Sequence, residues 1–245
     1  MREELRVELL GQGAAVVGFA ALGGYLDGQI AHLDRAVSIG VARRLTEDTL
    51  GILARLQQRA VRHLKSRGWR TLAVPPDSDR RKDTFVSRLY ALFNHKMAAT
   101  SAGIGWVGRS GLLISPLHGP RLTLATVLTD APLAPDAPVE ASGCGLCTLC
   151  HEHCPSGAIT GAEWSRRDPF VELVRHGVCR DHKAAGRQTA GKPNCGLCIT
   201  VCPYGRTHGV MPGTVSGEGV ARRGGLHRAD RREHGGGPQR QDPAA

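Results

Sequence analysis

Cys144-Gly-Leu-Cys147-Thr-Leu-Cys150-His-Glu-His-Cys154-Pro155 is the stretch on which the reading of this chain turns. A shorter run follows as Cys195-Gly-Leu-Cys198-Ile-Thr-Val-Cys202-Pro203, and Cys179 stands between the two. These places hold all eight cysteines of the 245-residue chain. Three cysteines two apart wrap a short loop around three corners of one centre, so a fourth ligand must come from elsewhere. Pro155 and Pro203 lack an N–H and fix φ, which redirects the chain after each run. Gly145 and Gly196 let the backbone approach whatever the sulfurs hold.

The first run has the C-x2-C-x2-C-x3-C-P spacing of bacterial two-cluster ferredoxins, in which the cysteine before the proline ligates the other cluster. That rule gives cluster I as Cys144, Cys147, Cys150 and Cys202. Cluster II takes Cys195, Cys198 and Cys154, with Cys179 assigned by elimination. Eight thiolates are what two [4Fe-4S] clusters require. Two readings compete. Two zinc sites would also consume eight cysteines, although zinc more often takes paired C-x-x-C knuckles. A disulfide framework suits small secreted chains, and the brief apolar stretch from Gly13 to Leu22 does not read as a secretory leader.

Hydrophobic residues make up 41% of the chain, enough for a core, and no run approaches a membrane span of about 20 apolar residues. We therefore expect a soluble, cytoplasmic protein with no membrane partner. The formal net charge is +10. Residues 211–245 hold six arginines and four acids, which leaves +8 on the body. Two clusters with four thiolates each would lower the total by about four. A modestly basic surface fits an acidic partner protein, an anionic cofactor or RNA.

The cysteines sit behind a differently patterned region. Leu5, Leu9 and Leu10 have helical spacing, and Gly13 to Phe19 is a short apolar run. Thr46 to Arg67 is the clearest helix, with Thr46 as cap, Glu47 and Asp48 in the first turn, and Leu50, Leu53, Leu56, Ala60 and Leu64 on one face before Gly68. Thr71 to Pro75 reads as a strand and Phe85 to Ala99 as a helix carrying Leu89, Leu92, Phe93 and Lys96. Gly111 to Ser115 and Arg121 to Leu128 read as strands joined by a turn at Pro116 to Pro120. The expected fold is an α/β (α+β) domain over residues 1–130, a Pro- and Ala-rich linker at 131–142, a two-cluster ferredoxin-like module at 143–206 and a disordered tail at 207–245.

Three other features bear on function. Gly103-Ile-Gly105-Trp106-Val-Gly108 satisfies G-x-G-x-x-G, but a helix precedes it and a strand follows, the reverse of a dinucleotide fingerprint. Its glycines more simply shape a tight loop. His95-Lys96 is either charge at a helix C-terminus or a cofactor contact. His151 and His153 lie inside the first cysteine loop, where they would tune a cluster from behind its ligands, while His208, His227 and His234 read as solvated.

The segment from His95 through Gly103-Ile-Gly-Trp-Val-Gly-Arg-Ser-Gly-Leu-Leu-Ile-Ser-Pro to Gly119-Pro-Arg121 and Asp130, followed by the two cysteine runs, resembles the epoxyqueuosine reductase-like iron–sulfur proteins in a short form, a group related to reductive dehalogenases. The resemblance covers roughly residues 10 to 206. It implies an iron–sulfur oxidoreductase whose two clusters relay low-potential electrons to a centre or substrate in the front domain, with cobalamin as candidate cofactor. It places His95, Lys96, Gly103, Gly105, Trp106, Gly108, Arg109 and Arg121 near that cofactor. Partners so implied are an electron donor (a ferredoxin, flavodoxin or reductase) and a small-molecule or modified-nucleoside substrate, tRNA among them. By the same alignment Leu89 stands where the family has a proton-donating aspartate, and Arg109 where lysine is usual. Two other functions compete: an electron carrier without chemistry of its own, and a tRNA epoxyqueuosine reductase proper.

Overall fold

The computed structural model describes residues 1–43, 46–76, 93–168, 170–190 and 195–206, with 187–190 described in the backbone only. The expected helix over 85–92, Leu89 and the expected disordered tail lie outside them.

A four-stranded antiparallel sheet organises the front of the chain. Its strands are β1 (Val16–Ala21), β2 (Arg35–Val41), β3 (Thr71–Val74) and β6 (Thr123–Thr129), in the order β1-β2-β6-β3. The reason is legible in the alternation. Val17 and Phe19 of β1, Val37, Ile39 and Val41 of β2, and Ala125 and Val127 of β6 join one core, while Ala20, Ala36 and Leu128 join the other. Both faces are covered, so the strands read as nearly continuous apolar runs.

Helices α1 (Arg2–Gly11) and α2 (Glu47–Lys65) close the first face. In α2 the Thr46 hydroxyl accepts from Thr49 N–H at 3.3 Å, and Leu53, Leu56, Ala60 and Leu64 are buried, as the spacing predicts. Leu50 is only half-buried; Thr49 and Gln57 are buried instead. The Gln57 amide donates to the carbonyls of Val74 (2.7 Å) and Thr126 (2.9 Å), which satisfies two backbone acceptors at the end of the β3–β6 pairing. Glu8 of α1 binds Arg59 and His63 of α2 and joins the two helices.

Helix α3 (His95–Ser101) closes the second face. It corrects two expectations. The helix does not run through Phe93, because Asn94 is extended (φ −123°, ψ 110°) and caps it with its side-chain oxygen on Lys96 N–H. His95 and Lys96 therefore open a helix and do not close one.

After α3, β4 (Trp106–Val107) and β5 (Leu113–Ile114) pair as a separate small sheet. The sequence reading joined 111–115 and 121–128 as consecutive strands across a turn. The turn exists, since Ser115 and Gly119 exchange both backbone hydrogen bonds (3.0 and 2.8 Å), but β5 and β6 belong to different sheets. Segment 131–142 runs against the front core: Ala131 and Leu133 are buried, and Asp136 accepts from Arg2, Arg6 and the Phe19 N–H. Three helices follow: α4 (Leu149–Glu152), α5 (His176–Ala190) and α6 (Leu197–Thr200). Among the described residues no helix is long and apolar enough to cross a membrane.

Candidate metal centre

The cysteines are carried by short elements. Cys150 lies in α4, Cys198 in α6 and Cys179 in α5, and α4 packs against α6. No disulfide joins any pair. Among the described residues no three or more His, Cys, Asp or Glu converge on a single-ion site.

The thiols do fall into neighbourhoods. Burial pushes the Cys150 thiol up to about 11, with added repulsion from Cys144, Cys147, Cys198 and Cys202. Burial also raises Cys202, assisted by Cys144 and Cys147 and opposed by the N–H of Tyr204. Cys198 is raised by burial and by Cys179 and Cys195, with Lys183 pulling the other way. Crowded thiols of this kind hold their protons unless a cation offsets the charge, which is the chemistry of a metal-binding set. Cys154 behaves differently. Burial would raise it, but the N–H groups of Ile159, Ser156 and Ala158 and the Ser156 hydroxyl outweigh that and hold it low. The turn after Pro155 thus aims donors at this sulfur.

The front of the chain reaches the first cysteine loop through β4. Trp106 Nε1 donates to Cys144 Sγ at 3.4 Å. Its ring stands edge-on to Tyr204 (centroids 5.0 Å apart), whose hydroxyl donates to Gly143 O at 2.7 Å. Arg109 donates to the carbonyls of Gly145 (3.0 Å) and Gly161 and to Glu163. Arg121 donates to the carbonyls of Tyr204 (2.9 Å) and Ile199 (3.2 Å). Each arginine thus fastens a turn of the cysteine region to the front of the chain. A Cβ on Gly119 would sit 2.0 Å from Tyr204 O, so the turn at 118–121 meets residues 204–205 at backbone distance.

The remaining residues assigned by resemblance are turned toward the chain itself. His95 is buried, with Nε2 donating to Pro75 O and Nδ1 facing the Thr126 hydroxyl, each at 2.8 Å. Lys96 Nζ donates to Gly111 O at 2.8 Å, across the β4–β5 turn. A Cβ on Gly103 would meet Ala137 O at 2.6 Å, one on Gly105 Ile114 O at 2.1 Å, and one on Gly108 the Ile114 side chain at 2.6 Å. Close packing accounts for the three glycines. His151 Nδ1 donates to Ile159 O at 2.7 Å and His153 Nδ1 to Leu149 O at 3.0 Å, so both brace the first loop.

Sequence reasoning missed several contributors. Tyr204 sits two residues after Cys202, in a C-P-Y run that hinted at nothing more than a turn. Arg166 donates to the Ser101 hydroxyl and to Val139 O, both at 3.0 Å, and ties α3 to the segment leading into the cysteines.

Comparisons with known proteins bear on this arrangement. Residues 143–205 match the 4Fe-4S double cluster binding domain family. The chain is 37% identical over 119 residues to an epoxyqueuosine reductase of Synechococcus sp. (strain RCC307), covering 46% of this chain and 35% of that protein. It is 33% identical over 112 residues to the tetrachloroethene reductive dehalogenase of Sulfurospirillum multivorans, covering 43% and 22%. The chain therefore spans about a third or less of the length of these curated relatives. Two solved structures share the fold. Epoxyqueuosine reductase with a tRNA-Tyr epoxyqueuosine-modified stem loop gives a TM-score of 0.60 at 21% identity, over 83% of this chain and 64% of that one. A reductive dehalogenase studied for B12-dependent dehalogenation gives 0.60 at 18%, over 84% and 32%. The chain is thus similar over less than half of its length to epoxyqueuosine reductases and to a reductive dehalogenase, shares their fold, and carries a 4Fe-4S binding region at 143–205 behind a front of mixed α and β.

Proposed function

We propose that this protein is an iron–sulfur oxidoreductase that carries low-potential electrons through two [4Fe-4S] clusters to an acceptor in its front domain. Residues 1–130 form that domain, 131–142 connect it, and 143–206 hold the clusters. Cluster I takes Cys144, Cys147, Cys150 and Cys202; cluster II takes Cys154, Cys179, Cys195 and Cys198. The neighbours of Cys202 (Cys144 and Cys147) and of Cys198 (Cys179 and Cys195) support this grouping; Cys150 has Cys198 beside it as well as Cys144, Cys147 and Cys202, so its assignment, like that of Cys154, rests on the motif rule. The protein acts in the cytoplasm, where a reducing milieu preserves thiolate-bound clusters.

The observation that carries the reading is the contact between Trp106 and Cys144. It brings the family-like glycine segment of the front domain directly onto a cluster ligand, and a free-standing carrier has no need of such a contact. Arg109 and Arg121 hold the same approach by carbonyls. The alternative, an electron carrier with no substrate of its own, leaves the front sheet without a task.

Cobalamin is the acceptor suggested by the likeness to dehalogenases, and the tRNA-bound neighbour makes a modified nucleoside a candidate substrate. Among the described residues, His95, Lys96, Arg109, Arg121 and the three glycines are engaged by the chain itself, so no step is assigned to them through a corrinoid.

Anaerobic reconstitution followed by iron analysis and EPR tests the proposal. About eight irons per chain are expected, falling by half in Cys198→Ala. Added cobalamin should give a Co(II) spectrum changed from that in free solution. Unchanged iron in Cys198→Ala would overturn the ligand assignment. Cubane signals with cobalt as in solution would remove cobalamin and keep the relay.

A further inference from the structure

The cations grouped around one proposed cluster II ligand, Cys179, have no task in the cluster reading. A cleft of about 370 Å³ opens on α5, lined by His176, Gly177, Cys179, Arg180 and Lys183. The side-chain-bearing residues stand at i, i+3, i+4 and i+7, so one helical face presents them all. Among the described residues no acidic side chain lines the cleft. Arg180 meets Asp181 at 3.2 Å, but both side chains are more than 70% exposed, which leaves the guanidinium open to an incoming carboxylate. Arg175 and His176, just before it, are exposed as well.

A cubane with four thiolates carries net negative charge, which repels the acidic proteins that deliver single low-potential electrons. Cations placed around one ligand cancel that repulsion and steer an acidic partner to the point where the cluster is nearest. A polynucleotide needs cations spaced along a track of phosphates, whereas these converge on one cleft at one cysteine.

We propose that the α5 face formed by His176, Arg180 and Lys183 is the docking surface for an acidic electron-donor protein that reduces the cluster held by Cys179. The inference rests on the cluster assignment above. One electron passes per encounter: the donor's reduced flavin or iron centre is oxidised by one electron, the cluster is reduced by one, and no bond or proton need move.

The test is stopped-flow reduction of the cluster-loaded full chain by two reductants. One is the hydroquinone of an acidic flavodoxin; the other is reduced methyl viologen, a small cation. Arg180→Glu should slow reduction by flavodoxin about tenfold and flatten its dependence on salt, with the viologen rate and iron content unchanged. Lys183→Gln should slow it about threefold, and Arg43→Glu, on the front domain, not at all. Equal flavodoxin rates in Arg180→Glu and the parent overturn the proposal. So does tRNA binding that Arg180→Glu abolishes while the flavodoxin rate stands, since that gives the face to nucleic acid. A reconstituted parent chain that holds no cubane iron would mean that the cluster reading itself has failed, and the docking proposal with it.

Discussion

The front and rear of this molecule are held together by different physics. The front has two apolar cores on either side of a sheet, and the larger includes Leu5, Phe19, Ile39, Leu53 and Val127. Among the described residues the rear has one small core of six buried residues, of which Trp106, Val107 and Ile114 come from the β4–β5 hairpin that precedes the cysteines. Leu146, Phe170, Val178 and Leu197 of the rear are exposed. A stretch with so little apolar burial offsets its chain entropy poorly. Backbone hooks such as those of Arg109 and Arg121 supply part of its order, and on the proposed reading the bonds to two clusters supply the rest.

Stripping iron anaerobically with a chelator puts the comparison at greatest risk. Amide exchange should rise across 144–160 and 176–202 to near-unfolded rates, while β2 and β6 keep their protection. Uniform loss of protection would show that the front also depends on the clusters.

Asp136→Ala probes the front. It removes the acceptor shared by Arg2, Arg6 and the Phe19 N–H, and should cost about 2 kcal/mol in denaturant unfolding of the front transition with iron per chain unchanged. Arg121→Met probes the seam between the two. Loss of its two carbonyl contacts should cost about 1–2 kcal/mol and raise exchange at 199–205 more than in the sheet.

Trp106→Phe keeps a ring against Tyr204 and removes the N–H donated to Cys144. Hydrogen bonds to ligand sulfur stabilise the more negative, reduced cluster, so the potential of one cluster should fall in a redox titration while the other stays. A shift in both, or in neither, would break the link between Trp106 and cluster I.

The smallest effect is a pH dependence in the front. Burial alone would raise Glu8, but hydrogen bonds from Arg59 and His63 and their charges outweigh it and hold its carboxyl below the usual glutamate value. A lowered folded value gives stability that is present above the ordinary glutamate pKa and lost as pH falls through the folded one. The melting-temperature gap between the parent and Glu8→Gln should therefore shrink as pH drops below about 4. A gap that stays constant down to acid pH would remove Glu8 as the source.

Much was decided in the sequence alone, wherever short-range chemistry was enough. The cysteine spacings and their prolines announced an iron–sulfur region because ligand geometry is encoded over a few residues. Thr46 and the Leu53-Leu56-Ala60-Leu64 stripe announced α2 because a helix repeats locally. β2 went unread because Arg35 to Val41 carries Ser38 and Gly40 on the face of the second core, where a Cβ on Gly40 would meet the side chains of Val16 and Leu124, and these two small residues blur the alternation. The break at Asn94 went unread because a single capping residue interrupts an otherwise helical-looking run. Tertiary structure alone decided that β5 leaves β6 for β4, and that Arg109 and Arg121 spend their charge on carbonyls across 36 to 83 residues of chain. It alone set Trp106 on the sulfur of Cys144. Those contacts join residues far apart in sequence, and which partner each polar group finds depends on how the sheet, the hairpin and the cysteine loops pack.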